Sequence, residues 1–268
     1  MTENRKGAAL VTGASTGIGA VYADRLAHRG HDLILVARDA GRMEAIAKRL
    51  RAETGRVVEV VPADLTAHAD LAKIEARLAS DPAITVLVNN AGISLNGGLL
   101  ETGAAELSQL IAINITAPTL LAAAAAKAFA QRKAGAIINI SSVLALAPEL
   151  LEGVYSGSKA YLLNLSLKLA LDLKAAGVRV QAVLPGATRT EIWERSGKDV
   201  DALLPGMVMD VDELVDAALV GFDRGEIVTI PPLADEGLWT AYTDARLALA
   251  PNLSRPTAAA RYRQSVDA

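Results

Sequence analysis

Apolar positions along this chain fall into two alternating kinds of run. Short, nearly continuous stretches rich in β-branched residues stand at AALVT (8 to 12), DLILV (32 to 36), VVEVV (57 to 61), ITVLV (84 to 88), AIINI (136 to 140) and VRVQAV (178 to 183). Longer segments with helical spacing separate them, at 17 to 29, 40 to 54, 71 to 79, 104 to 132 and 155 to 176. Such alternation predicts βαβ units. Strands that read as nearly continuous apolar runs predict a parallel sheet covered on both faces, because neither face is left to water. The expected fold class is therefore α/β, a doubly wound parallel sheet with helices on both faces. Gly30, Gly55 and Gly177 stand where helices must end in a left-handed residue before the next strand. After Gly186 the pattern loosens. Residues 190 to 209 read as an insertion that could serve as a substrate lid, Val211 to Phe222 as a helix and EIVTI as a last strand. From 231 to 268 a helical C-terminal extension is expected, divided by Pro251 and Pro256. With no repeat and no long linker, residues 1 to 268 read as one domain.

Composition narrows the partners. Hydrophobic residues make up 51% of the chain against 21% charged, which supports a sizeable core, and at 3% aromatic that core must be built from Ala, Leu, Val and Ile. A formal net charge of -3 provides no attraction to phosphate backbones or anionic lipid, so no nucleic acid and no membrane partner is expected. The longest apolar tract, Ile115 to Ala130, is rich in alanine and interrupted by Lys127, as in a buried helix. The N-terminal apolar run is too short for a signal peptide, and the expected location is cytoplasmic. The absence of cysteine removes disulfides, thiolate metal sites and a thiol nucleophile. His28, His31 and His68 lack zinc-site spacing, so no metal is expected.

The turn after the first run carries candidate chemistry. Gly13, Gly17 and Gly19, with Ser15, Thr16 and Ile18 between them, would let the backbone approach a pyrophosphate whose charge is favoured by free N–H groups at a helix start. The spacing is GxxxGxG, and a plain turn packed on its helix is the simpler alternative. The letters GASTG also match a hydrolase nucleophile elbow, with Ser15 as nucleophile and Asp64 and His68 as acid and base. At the end of the second run Ala37 stands where an acid would bind the ribose hydroxyls of NAD, with Arg38 beside it. A guanidinium there accommodates a 2′-phosphate, so NADP (NADPH) is expected over NAD. Asp39 could neutralise Arg38 or cap the following helix.

Residues 155 to 159 read YSGSK. Four-residue spacing on a helix puts Tyr155 and Lys159 on one face, where an ammonium favours the phenolate. A tyrosine at a helix start with a lysine reaching to solvent would show the same letters. Here, however, Ser141 and Ser142 end the preceding strand at the carboxyl edge of the sheet, where open parallel sheets bind ligands.

With these residues together, the chain resembles the short-chain dehydrogenase/reductase family over nearly its whole length. The resemblance rests on the TGxxxGIG turn, Asn89-Asn90-Ala91-Gly92 after the fourth strand, Asn114 in the long helix, the serine before YxxxK, and Pro185-Gly186 after the sixth strand. It implies a Rossmann-like domain and an NADP(H)-dependent oxidoreductase that interconverts a carbonyl and an alcohol. By the same resemblance Ser142 would hold the substrate oxygen, with Ser141 orienting the turn. Tyr155 would be the general acid/base, Lys159 would also hold the nicotinamide ribose, and Asn114 would bind the water of a proton relay. The cofactor would further be lined by Gly13, Ser15, Thr16, Gly17, Ile18, Gly19 and Arg38. Asp64 would contact the adenine, Asn90 and Gly92 would line the adenosine side and Thr190 would meet the nicotinamide end, with Leu65, Ala91, Pro185, Gly186 and Thr188 also binding the cofactor. Asp64 and Thr190 could instead act as helix caps. A non-catalytic NADP-binding sensor on the same fold is the alternative. The implied partners are a small-molecule carbonyl or alcohol substrate and further copies of the chain, as a homodimer or homotetramer. The extension departs from the family pattern, and with Trp239, Tyr242 and Leu247 it would cover a substrate mouth or a dimer seam. Trp193, Leu203, Leu204, Met207, Val208 and Met209 suggest an apolar or amphiphilic substrate.

Overall fold

A computed structural model describes residues 6 to 95, 97 to 150, 153 to 190 and 205 to 263. Seven strands form one parallel sheet: β1 (Ala8–Thr12), β2 (Asp32–Ala37), β3 (Val58–Pro62), β4 (Ile84–Asn89), β5 (Ala136–Ile140), β6 (Arg179–Val183) and β7 (Val228–Thr229). Their spatial order is β3-β2-β1-β4-β5-β6-β7. The chain winds outward from β1 to β3, then returns to the other side of β1 with β4. That reversal opens a crevice at the carboxyl ends of β1 and β4, the place where open parallel sheets bind ligands.

Because successive side chains alternate across a strand, each buried strand feeds two cores. Ala9, Val11, Leu33, Leu35, Val88 and Ile138 face α1 (Gly17–His28), α2 (Ala40–Thr54) and α7 (Val211–Arg224). Leu10, Ile34, Val36, Leu87 and Ile137 face α3 (His68–Ser80) and α5 (Ala117–Arg132) on the other side. Each such Leu, Ile or Val contributes roughly 1.5–3 kcal/mol when fully buried. In the apolar tract, Ala117, Leu121, Ala125 and Phe129 pack in this second core while Lys127 stays exposed.

The long helical run is not uniform. It comprises α4 (Ala104–Ile111), a π-helical segment Ala112–Thr116, and α5. Pro118 is the cause that the sequence supplies: it has no N–H for the carbonyl of Asn114 four residues back, and its ring would crowd that carbonyl in a regular helix. Widening to a π turn relieves the crowding. α6 (Gly153–Leu173) follows β5 after two short 3-10 turns. Gly55 and Gly177 close α2 and the turn after α6 in left-handed conformation, as expected.

Polar groups tie the middle of the sheet to α6. The Asn89 amide nitrogen donates to the Asn139 side-chain oxygen across β4 and β5 at 3.0 Å. Asn139 in turn donates to Ser166 Oγ at 2.9 Å, and Ser166 to the Leu162 carbonyl at 2.7 Å.

The chain divides into two units, Met1–Pro232 with the sheet and Leu233–Ala268. The division falls just after Pro231, where the extension was expected to begin. In the second unit α8 (Glu236–Ala248) is capped by Asp235, which accepts from the Gly237 N–H at 2.8 Å, and Trp239 stacks on Tyr242 at 5.4 Å. Two 3-10 turns, Ala250–Asn252 and Ala260–Tyr262, follow it.

Candidate active site

The crevice begins at Thr12, a buried hydroxyl at the end of β1. It donates to the Val88 carbonyl at 3.2 Å and accepts the N–H groups of Asn90 and Ala91 at 3.0 and 3.1 Å. β4 is thereby held against the start of the glycine turn. The Asn90 amide nitrogen donates to the carbonyls of Thr12 and Gly13 at 2.9 and 3.2 Å. Glycine is required beneath it: a Cβ on Gly19 would lie 2.3 Å from the Gly13 oxygen and 2.5 Å from Asn90 Nδ2, and Gly13 has φ +65°. Asn90 thus braces the turn with its side chain.

α1 starts at Gly17 behind Thr16, whose side chain makes no cap, and its first backbone bond runs from Ala20 N to Thr16 O. The N–H groups of Gly17, Ile18 and Gly19 are therefore not used by the helix, and its first turn has no acidic side chain. Partial positive charge at such an end suits an anion. Thr190 closes the far side, its Cγ2 lying 3.3 Å from where a Gly17 Cβ would stand. Its hydroxyl bonds the Thr188 carbonyl at 3.4 Å, and buried Thr188 bonds the Gly186 carbonyl at 3.0 Å. The carbonyl of Pro185 accepts the Val143 N–H at 2.9 Å, which joins the turns after β5 and β6. A bridge between Thr188 and Met209 ties the two ends of the stretch read as a lid. Trp193, Leu203 and Leu204 lie outside the described residues.

At the end of β2, Arg38 is exposed and makes no ion pair among the described residues. Asp39 is occupied elsewhere. It caps α2 by accepting the Arg42 N–H at 3.0 Å and pairs with the Arg42 guanidinium at 3.5 Å. Asp64 accepts from the Thr66 hydroxyl and N–H at 2.7 and 2.9 Å, so it shapes the turn before α3, whose cap position is Ala67. The Thr66 hydroxyl bond chiefly, then the Thr66 N–H, hold its carboxyl below the usual range, and the charge of Arg38 adds to this. Leu65 is buried and, with Ala91, Ile113 and Thr12, lines a small space under the crevice. No histidine among the described residues hydrogen-bonds Ser15, and His68 is an exposed first residue of α3. Since Asp64 is committed to Thr66, the hydrolase arrangement of Ser15, Asp64 and His68 is not assembled.

Tyr155 and Lys159 face each other on α6. The Lys159 ammonium lies 5.5 Å from the centre of the Tyr155 ring and donates to the Ile140 carbonyl at 3.0 Å. Burial alone pushes the Lys159 ammonium down to about 8. Ser141 fixes this turn by donating to the Lys159 carbonyl at 2.7 Å. Ser142, next in the chain, accepts the Leu144 N–H at 3.1 Å, which leaves its hydroxyl hydrogen for another acceptor. Asn114, in the π segment, is 2% exposed. Its side chain exchanges two bonds with the Ile93 backbone, both 2.9 Å, and donates to Ser158 Oγ at 3.1 Å. A Cβ on Gly92 would stand 3.1 Å from Asn114 Oδ1 and 3.6 Å from Lys159 Nζ.

The structure thus brings together Gly13, Gly19, Asn90 and Ala91 at one end, and Gly92, Asn114, Tyr155 and Lys159 at the other. Arg38, Asp64 and Leu65 occupy the ends of β2 and β3. Sequence reasoning missed Thr12, Asn139 and Ser158. The available signals were a polar residue ending an apolar strand, an asparagine inside AIINI, and a second serine within YSGSK.

A family model described as short chain dehydrogenase matches residues 7 to 201. A short-chain dehydrogenase from Sphingobium yanoikuyae, solved in complex with NADPH, is 54% identical with a TM-score of 0.93, over 96% of this chain and all of that one. The bulky-bulky ketone specific alcohol dehydrogenase from Comamonas testosteroni is 48% identical with a TM-score of 0.89, over 96% of this chain and 98% of that one. Human 17-beta-hydroxysteroid dehydrogenase type 3 is 37% identical over 186 residues, which are 68% of this chain and 59% of that protein. The chain therefore spans less than two thirds of that relative.

Proposed function

The chain belongs to the short-chain dehydrogenase family, and from that premise we propose that it is an NADP(H)-dependent oxidoreductase interconverting a bulky ketone and its alcohol. The observation that carries this reading is the buried Lys159 ammonium 5.5 Å from the Tyr155 ring, beside a helix start with unused N–H groups. The residues fit a dinucleotide: three N–H groups and a glycine cradle for the pyrophosphate, no carboxylate in the first turn to repel it, and Arg38 for a 2′-phosphate. The NADPH complex of the 54% identical relative supports the same choice.

NADPH, when bound, supplies the hydride. Tyr155 gives its proton to the substrate oxygen as the carbonyl becomes an alcohol, and takes it back in the reverse direction. Ser142 donates its hydroxyl hydrogen to the same oxygen, stabilising the charge that develops there. Lys159 favours the phenolate after the proton has left, and its donors not used by Ile140 are directed at ribose hydroxyls. With the Asn114 side chain committed to Ile93 and Ser158, its part in a proton relay falls to its carbonyl, to which Pro118 cannot donate. The Comamonas testosteroni relative supports the bulky ketone, as do the apolar residues Leu95, Leu99, Leu144, Leu146 and Met207 on the turns after β4, β5 and β6. A homodimer or homotetramer is proposed from the family resemblance, and mass in solution decides it.

The test is NADPH absorbance against a panel of ketones, with Tyr155→Phe as control. The variant is expected to lose about 10²- to 10⁴-fold in turnover while binding NADPH normally. Full activity in Tyr155→Phe would overturn the proton assignment, and NADPH binding without oxidation of any ketone would favour the sensor.

A further inference from the structure

Ser158 lies between the two residues of the YxxxK pair, and its side chain is 1% exposed. A serine in a helix commonly bonds back to its own preceding turn, and Ser158 does so, donating to the Tyr155 carbonyl at 2.7 Å. What sets it apart is the second bond, accepted from Asn114 Nδ2 at 3.1 Å. Asn114 is itself clamped to both polar groups of the Ile93 peptide. A continuous chain therefore runs from the segment after β4, through the Asn114 amide and the Ser158 hydroxyl, to the peptide that carries the Tyr155 side chain.

On its other side the same turn is held to β5 by Ser141 on the Lys159 carbonyl and by Lys159 on the Ile140 carbonyl. These two bonds fix Lys159. The Asn114–Ser158 link fixes Tyr155. Each partner of the acid/base pair thus has its own tether, one to the end of β5 and one to the segment after β4. The spacing between phenol and ammonium depends on both tethers holding.

We propose that Ser158 is a positioning residue: its hydroxyl, bridging Asn114 to the Tyr155 peptide, holds the tyrosine at its working distance from the Lys159 charge. This rests on the proton-transfer role of Tyr155. Without the hydroxyl, Asn114 retains both Ile93 bonds, while the tyrosine's turn loses its connection to the segment after β4. The phenol then drifts relative to the ammonium, and a displacement of about 1 Å can cost as much as 10²-fold in rate.

The experiment compares wild type, Ser158→Ala and Ser158→Thr as holoenzymes with NADPH and a reducible bulky ketone, following kcat, KM, NADPH affinity and the pH dependence of alcohol oxidation. Ser158→Ala is expected to lower kcat about 10-fold, leave NADPH affinity within twofold, and move the rising limb to higher pH because the phenolate is less favoured. Ser158→Thr, which keeps the hydroxyl, is expected to restore the limb. A limb at the wild-type pH in Ser158→Ala overturns the proposal even if kcat or the melting temperature falls, because loss of stability alone does not move it. A Ser158→Thr variant that folds but keeps the shifted limb overturns it too. Wild type that binds NADPH but reduces no ketone would instead count against the proposed oxidoreductase function.

Discussion

Replacing Lys159 with methionine keeps side-chain length and removes one charge from the interior. Two opposing magnitudes follow from the geometry. At 5.5 Å the ammonium attracts a charge on the Tyr155 ring; with an effective dielectric of about 20 this is worth about 3 kcal/mol, or about 2 pH units. Against it stands burial, which brings the lysine from its ordinary value of 10.5 to about 8, also a cost of about 3 kcal/mol for keeping the ammonium charged. The two are of equal size. In alcohol oxidation, Lys159→Met is expected to move the rising limb of the pH–rate profile up by about 2 pH units, whatever the height of the curve. Stability carries the opposite sign. Below pH 8 the lysine is protonated folded and unfolded, and the whole burial cost weighs on the fold. Between about 8 and 10.5 the folded protein releases the proton first, so stability from this residue rises with pH. At pH 7, Lys159→Met should be more stable by about 2 kcal/mol, after allowing about 1 kcal/mol for the Ile140 carbonyl left without a donor. That advantage should vanish by pH 10 in urea unfolding of the cofactor-free protein. A variant whose kinetic limb overlays wild type would refute the electrostatic argument, and one with no pH-dependent stability difference would refute the burial argument.

Arg38→Ala is expected to weaken NADPH binding about 10- to 100-fold, the worth of a charge-assisted contact, with NADH binding unchanged by fluorescence titration. Asp39→Ala should lower the melting temperature through loss of a helix cap worth about 1 kcal/mol and leave the NADPH-to-NADH ratio as it was, because Asp39 is engaged by Arg42. Gly19→Ala would press a methyl group against the Gly13 carbonyl and Asn90. About 1–3 kcal/mol of stability should go with it, together with NADPH affinity, in thermal melts with and without cofactor.

The strands at 8 to 12 and 136 to 140 were legible to the residue, because fully buried parallel strands read as nearly continuous apolar runs, broken in the second only by Asn139. β7 was not: EIVTI suggests five residues, yet only Val228 and Thr229 pair with β6. It lies at the sheet edge, where Pro231 and Pro232 have no N–H to continue the ladder. The helix expected at 71 to 79 extends to His68 and Ser80, since its apolar positions mark the buried face and not the solvated ends. The π segment could have been foreseen from Pro118, but a helical period continues smoothly on either side of it. At the site, the Tyr155–Lys159 pairing follows from helical spacing alone. That Asn90 braces the glycine turn and that Asp39 serves Arg42 did not follow, because the first depends on a partner distant in sequence and the second on a choice between Arg38 and Arg42, which flank Asp39.

The asparagine pair across β4 and β5 also bears on how the sheet finds its alignment. Sliding β5 by one residue would turn Asn139 to the opposite face, leaving its amide without Asn89 and Ser166 and leaving Asn89 with only its bond to the Pro118 carbonyl in a dry interior. Each stranded polar group would cost about 1–3 kcal/mol, whereas the isoleucines on either side would hardly register the change. Two amides among otherwise interchangeable aliphatics thus let the chain proofread its own assembly, at the strand whose end delivers Ser142 to the crevice.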